Sequence, residues 1–204
     1  MVDVQLRRRG IRDERVLAAM GEIPREEFVP ADSRLVAYTD NPIHVGHGQT
    51  ISQPYMTALM AELLALTGGE TVLEVGAGCG YAAAVLAKLA ARVVTVELIP
   101  ALAQLARDNL RRTGCDGNIA VVEGDGSFGH PPLAPYPAIS VAAAAREIPP
   151  SLLEQLADPG RLVIPVGEWD DQELRLLWKR EGRMDYRVAT LCRFVPLRGG
   201  EGWE

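Results

Sequence analysis

A short apolar run in Val72-Leu73-Glu74-Val75 passes directly into Gly76-Ala77-Gly78-Cys79-Gly80-Tyr81, with three glycines at alternate positions. Glycine lets the backbone turn sharply and lets a ligand approach it closely. A helix starting immediately afterwards offers unpaired N–H groups to that ligand. Such a turn suits nucleotide binding, and its spacing narrows the choice. A dinucleotide fingerprint needs glycine at the sixth position, which is Tyr81 here, and a P-loop needs Gly-Lys-Ser/Thr, which is absent. Two acids follow at the ends of later apolar runs. Glu97 closes Val94-Thr95-Val96-Glu97, where a carboxylate accepts from both ribose hydroxyls and repels a 2′-phosphate. Asp125 sits in Glu123-Gly124-Asp125-Gly126.

A second cluster precedes the glycine turn. The segment from Asn41 to Pro54 is rich in glycine and small hydrogen-bonding side chains, a composition suited to a loop that clamps a peptide backbone. Ser52 has two readings: an N-cap for the helix after Pro54, or a hydroxyl that orients a substrate. No His-Asp relay is evident that would make it a nucleophile. His44 and His47 flank Gly46 without cysteine or acidic partners at ligand spacing, so they read as polar loop groups and no metal is expected. Cys79 falls where a helix N-terminus lowers a thiol's pKa, yet reads as small filler. The scattered tryptophans read as core.

These groups must be positioned by a scaffold, and the chain has material for one. It has 204 residues, 48% hydrophobic and 24% charged, ordinary usage for one globular domain. A net charge of −6 gains nothing from a polyanion's field, so nucleic acid is not an expected partner despite Arg7-Arg8-Arg9. Three cysteines and no secretory apolar region imply a reduced, cytoplasmic protein. The apolar stretches Met56 to Leu66 and Ile139 to Ala145 are too short to span a bilayer.

Periodicity and turn residues give the elements. Helical faces run from Ile11 to Met20 and from Thr57 to Leu66, with a mostly irregular Pro24 to Gln53 between them. From Thr71 onward, β-branched runs alternate with Ala/Leu-rich helices, the pattern of parallel strands with crossover helices. Strands are predicted over Thr71 to Val75, Arg92 to Glu97, Ile119 to Glu123, Ala138 to Ala142 and Arg161 to Val166. Helices are predicted over Tyr81 to Ala90, Ala101 to Thr113 and Pro150 to Ala157. After Gly167, Glu173 to Arg180 and Tyr186 to Pro196 read as an antiparallel pair around Glu-Gly-Arg. The expected fold is α/β: a doubly wound, mostly parallel seven-stranded sheet with an antiparallel C-terminal hairpin. Residues 1–67 form an N-terminal helical and substrate-loop extension and 68–204 a cofactor-binding core, within one domain.

The Glu74 to Gly80 pattern resembles motif I of S-adenosylmethionine-dependent methyltransferases. The block Gly48-Gln49-Thr50-Ile51-Ser52-Gln53-Pro54 resembles, far more specifically, the protein-L-isoaspartate O-methyltransferase family. Further matches are Arg25 to Pro30, Glu147 to Pro150, Gly160 to Gly167 and Arg193 to Leu197, so the likeness covers nearly the whole chain. The resemblance implies methyl transfer from S-adenosylmethionine, leaving S-adenosylhomocysteine, to the free carboxylate of L-isoaspartyl residues in damaged proteins and peptides. The ester then closes to a succinimide whose hydrolysis restores some aspartate. It implies a Rossmann-like methyltransferase fold and a monomer. Cofactor contacts are implied for Glu74, Gly76, Ala77, Gly78, Gly80, Tyr81, Glu97, Leu98, Asp125 (at the adenine amino group) and Gly126. Substrate contacts are implied for His47, Ile51, Ser52, Gln53 and Ala142, with Ser52 the active-site serine.

Two positions depart from the family pattern. Pro137 stands where the fourth core strand commonly begins Asp-Ala-Ile, and proline cannot donate to a ladder. Ala142 replaces a frequent threonine, removing a hydroxyl on the substrate side. These departures leave two alternatives open: a carboxyl methyltransferase of a specific biosynthetic peptide, and a non-catalytic cofactor-binding relative.

Overall fold

The computed structural model describes residues 1–203. After two short helical turns, α1 spans Glu14–Glu22, later than the predicted Ile11 to Met20. Asp13 fixes its start, accepting from the backbone N–H groups of Arg15 and Val16. Ile11 is buried ahead of the helix, and Gly21 does not end it. The segment expected to be irregular contains 3-10 turns at Arg25–Phe28 and Ala31–Val36 and a small hairpin, β1 (Ile43–Gly46) with β2 (Gln49–Ile51). Ile43 and Val45 bury while His44 faces out. His47 (φ 53°) and Gly48 (φ 72°) form the two-residue turn, both left-handed as a tight hairpin connection requires.

Helix α2 spans Pro54–Leu64, three residues earlier than predicted. Proline is suited to the first helical position because the N–H it lacks has no partner there. The helix ends at Ala65 (φ 45°), before Gly68-Gly69. Then follow β3 (Thr71–Val75), α3 (Tyr81–Ala87), β4 (Arg92–Glu97), α4 (Pro100–Thr113), β5 (Ile119–Glu123), β6 (Tyr136–Val141), α5 (Pro150–Glu154), β7 (Leu156–Glu168), β8 (Asp171–Arg180) and β9 (Arg183–Cys192). Strands β3, β4 and β5 coincide with the predicted spans.

The differences elsewhere have local causes. Helix α3 stops three residues short of Ala90, and α4 begins one residue early, at Pro100. Helix α5 stops short of Ala157 because the chain pairs with β6 from Leu156 onward, and the backbone carbonyl of Gln155 accepts from the Tyr136 N–H. Strand β6 begins earlier than predicted and ends at Val141, leaving Ala142 in the loop beyond it. The β6–β7 register shifts between Tyr136 and Ala138, where Pro137 sits, with the extra residues on the β7 side between Leu156 and Arg161. Strands β8 and β9 join through Glu181 (φ 53°) and Gly182 (φ 72°), and β9 ends at Cys192, before the predicted Pro196.

The seven-stranded sheet runs β5-β4-β3-β6-β7-β8-β9. The pairs from β5 through β7 are parallel, and β7–β8 and β8–β9 are antiparallel. Alternate side chains of the core strands feed two layers. Val72, Val93, Ala138 and Val163 pack with α1, α2 and α3, while Leu73, Val75, Ile139 and Leu162 pack with α5 and Leu197. Chain order reverses on either side of β3, and the crevice beyond the carboxyl ends of β3, β4 and β6 is where ligands bind in such sheets.

Candidate active site

Each wall of that crevice comes from a strand end. Strand β3 hands over to Gly76, whose N–H donates to the Val96 carbonyl at 2.8 Å, while the Ala142 N–H after β6 donates to the Val75 carbonyl at 2.8 Å. Gly76 (φ 93°) turns the chain where a side-chain-bearing residue would be strained. At Gly80 (φ 90°) a Cβ would press on the Ala106 backbone at 3.3 Å, so glycine there lets α3 pack close against α4. At the end of β4, the buried Glu97 carboxylate accepts from the Gly78 N–H at 2.8 Å and from the Ile99 N–H at 3.0 Å. It binds the glycine turn to its own strand, and with one bond accepted at each oxygen it keeps acceptor capacity on the crevice wall it helps to form.

The resulting cleft encloses about 830 Å³ including its mouth. From the glycine turn it is lined by Gly76, Ala77, Gly78 and Tyr81, and from the next two strand ends by Glu97, Leu98 and Gly126. A Cβ on Gly126 would lie 2.6 Å from Val75 Cγ1, so only glycine leaves this wall flush. Ile51, Ser52 and Ala142 close the far end. A second, wider groove of about 1790 Å³ adjoins it, and Gln49, Thr50, Ser52, Ala142 and Arg198 line both. Gln53 lies on the second groove alone.

Four residues singled out from the sequence line neither space. His47 occupies the hairpin turn, and Gly80 caps α3. Glu74 is fully buried in β3 with both oxygens lacking a hydrogen-bond partner among the described residues. Burial, reinforced by the nearby charge of Glu97, pushes its carboxyl up to about 8. Asp125 spends its carboxylate within the protein: Oδ1 accepts from the Ser127 N–H and hydroxyl, and Oδ2 from the Gly200 N–H at 2.7 Å. Cys79 is buried and its thiol is pushed up to about 11 by that burial, so the lowering expected from a helix N-terminus is overridden.

Ser52 does not cap α2. Gln53 holds the N-cap position without a side-chain bond, and the Tyr55 N–H is taken by Asp40. Its hydroxyl is therefore not consumed by the helix. The loop that carries it is held by a residue the sequence reading overlooked: Arg25, fully buried, donates from Nη2 to the Ser52 carbonyl at 2.7 Å and from Nε to the Ala37 carbonyl at 2.7 Å. The Arg25 guanidinium stacks 4.9 Å from the Tyr81 ring. Tyr81 in turn meets Phe28 edge-on at 5.5 Å and points its hydroxyl at Met20.

The segment after β9 forms the opposite wall. Residues 195–198 cross the crevice, with Leu197 N–H donating to the Ala144 carbonyl and Ala144 N–H to the Val195 carbonyl, both at 2.8 Å. The reading of the tryptophans as core is corrected for two of three. Trp169, 53% exposed, and Trp203 meet edge-on at 6.2 Å and line the second groove, while Trp178 packs against the core.

The strand order, the glycine turn and the acid ending β4 define an S-adenosylmethionine-dependent methyltransferase. Over residues 1–202 the chain matches the family described as protein-L-isoaspartate(D-aspartate) O-methyltransferase, and it belongs to that family. It is 55% identical to a protein-L-isoaspartate O-methyltransferase of Methanoculleus marisnigri, covering 100% of this chain and 92% of that protein. It is 53% identical to one of Rhodopseudomonas palustris, covering 100% and 83%. Among solved structures, a Plasmodium falciparum protein described as a putative member, in complex with S-adenosyl-L-homocysteine, superimposes with a TM-score of 0.83 at 27% identity over 94% of both chains. Another protein-L-isoaspartate O-methyltransferase gives 0.86 at 30% identity, covering 99% of this chain and 67% of that one.

Proposed function

We propose that the two joined spaces serve one reaction, methyl transfer to the free carboxylate of an L-isoaspartyl residue, with the narrow cleft for the methyl donor and the wide groove for the damaged peptide. The observation that carries this is their meeting at Ser52 and Ala142, which line both. The cleft suits the cofactor: a flush glycine floor at Gly76 and Gly126, and a buried carboxylate at Glu97 with spare lone pairs for two hydroxyls. When bound, S-adenosylmethionine supplies a methyl group already activated by its sulfonium.

The chain's residues then have little proton work to do. A carboxylate with a pKa of about 4 is ionised at neutral pH, so its oxygen is a competent nucleophile on arrival. Ser52 donates its hydroxyl to that carboxylate and aims one oxygen along the line of transfer. Ile51 and Val195 exclude water at the junction, so proximity and the replacement of the carboxylate's water shell supply most of the rate. Gln53 and the Trp169–Trp203 pair flank the rest of the peptide. Asp125 contributes by bracing the Gly126 wall and the segment carrying Gly200.

Residues 1–204 act as a single domain, a reading supported by the cavity that residues 49–52 share with the glycine turn. We read the protein as a cytoplasmic monomer acting on isoaspartyl proteins and peptides and not on nucleic acid; its charge of −6 supports the last point and its three free cysteines a reducing compartment. The test is transfer of label from S-adenosylmethionine to an L-isoaspartyl peptide against the same peptide with L-aspartate. Base-labile label on the first alone is expected. Label on the aspartyl peptide instead, or on neither, would overturn the reading.

A further inference from the structure

Among the described residues, Arg198 is the one cationic side chain on the wall of the narrow cleft, and it also lines the groove. Among the described residues it forms no ion pair and its side chain makes no hydrogen bond. Arg193 on the groove and Arg146 beside Trp203 are already engaged. Arg193 pairs with Asp170 at 3.0 Å, and Arg146 lies 4.2 Å over the Trp203 ring and within 3.7 Å of Glu168.

The backbone that carries Arg198 is tightly fixed. Leu197 before it is buried and bonded to Ala144, and its carbonyl accepts from the Trp203 N–H at 2.6 Å, closing a loop over residues 198–203. Gly199 (φ 141°) passes so close to Asp125 that a Cβ there would collide with the carboxylate. Gly200 is bonded to Asp125, and the Glu201 carboxylate accepts from the Ser151 N–H and hydroxyl at 3.0 and 2.8 Å. A loop anchored at so many points places Arg198, exposed and without an ion pair among the described residues, at the junction of the two spaces. The charge of the narrow cleft is balanced there by Glu97 on the opposite side, whereas Glu97 does not reach the groove.

We propose that Arg198 is the cationic partner of the substrate carboxylate, holding it beside Ser52 where Ala142 offers no hydroxyl. The proposal rests on the isoaspartyl reading above. A guanidinium matches a carboxylate with two parallel N–H donors, which orients the nucleophile as well as attracting it. It also gives the groove a preference for an anionic side group at the junction over its neutral carboxamide.

The test compares wild type with Arg198→Ala and Arg198→Lys, varying the isoaspartyl peptide and S-adenosylmethionine separately. The expected result for Arg198→Ala is a peptide KM raised roughly tenfold, the loss typical of a charge-assisted bond, with cofactor KM and melting temperature nearly unchanged. Arg198→Lys should recover part of the loss. The rise of peptide KM with sodium chloride should flatten in Arg198→Ala, because the screened charge is gone. An unchanged peptide KM overturns the proposal, and so does a defect confined to the cofactor KM, which would assign Arg198 to the donor's own carboxylate. Wild-type enzyme that leaves the isoaspartyl peptide unlabelled would instead overturn the functional reading, and the proposal with it.

Discussion

The Arg25 guanidinium and the Ser52 carbonyl meet at 2.7 Å across 27 residues of sequence, so the loop that presents the Ser52 hydroxyl is fastened from behind by a buried cation. The same guanidinium also holds the Ala37 carbonyl. Arg25→Lys keeps the charge and cannot span both acceptors. Bonds of this kind contribute about 1.5 to 3 kcal/mol each. A fall of at least several degrees in melting temperature and a drop of roughly tenfold in kcat/KM for the isoaspartyl peptide are expected. Calorimetry and the methyl-transfer assay check both.

Ser52→Ala separates orientation from structure. Among the described residues no hydrogen bond depends on the Ser52 hydroxyl, and α2 is not capped by it, so the melting temperature should stay within about one degree of wild type. Peptide kcat/KM should fall about tenfold while S-adenosylhomocysteine binding, followed by titration calorimetry, holds. A stability loss with unchanged turnover would return Ser52 to a structural role.

Ala142→Thr places a hydroxyl on the substrate side of the junction, where Ala142 offers none. Ala142 borders a small void shared with Ser52, Thr57 and Ser140, so two added heavy atoms have space. One added hydrogen bond of about 1 kcal/mol would raise kcat/KM roughly fivefold. Steady-state kinetics on a common peptide decides it, and a drop in turnover would mean that the void does not accommodate the larger side chain.

Glu74→Gln should change the pH dependence of stability. The buried Glu74 carboxyl keeps its proton up to about 8, whereas in the unfolded chain it ionises near its ordinary value of 4.5. Between those values the folded state binds the extra proton. The contribution of Glu74 to stability is therefore fully present below about pH 4.5 and is lost as pH rises through 8. Glutamine is neutral throughout, so the melting temperature of Glu74→Gln relative to wild type should climb between about pH 5 and pH 8. A constant difference across that range would show that Glu74 is already ionised in the fold.

The parallel half of the sheet was legible because its signals are local. Thr71–Val75 and Arg92–Glu97 are continuous β-branched runs closed by glycine or an acid, and the structure ends them there. At the entry of β6 the register does shift across Pro137, but the extra residues lie on the facing strand, between Leu156 and Arg161, which nothing around Pro137 signals. The hairpin of Ile43–Ile51 escaped notice because its strands are too short for an alternation to stand out, although Gly46-His47-Gly48 marks the turn. Arg25 escaped because an arginine before two glutamates reads as a solvated run, and only tertiary packing buries it. Trp169 and Trp203 are apolar residues whose exposure depends on how the last segment folds back, information absent from their neighbours. Glu74 and Asp125 show the reverse limit: a motif locates a carboxylate in sequence without stating whether its oxygens face a ligand or the protein.

The narrow cleft takes one wall from residues 49–52 and another from residues 195–198, opposite ends of the chain. Closing so long a loop costs entropy that is recovered only when both segments dock on a finished sheet. A partly folded intermediate can therefore carry the parallel strands, with most of the final circular dichroism, and no catalytic capacity. In refolding, methyl transfer should reappear after the spectroscopic signal has returned, making the enzyme's own turnover a clock for the last step of its assembly.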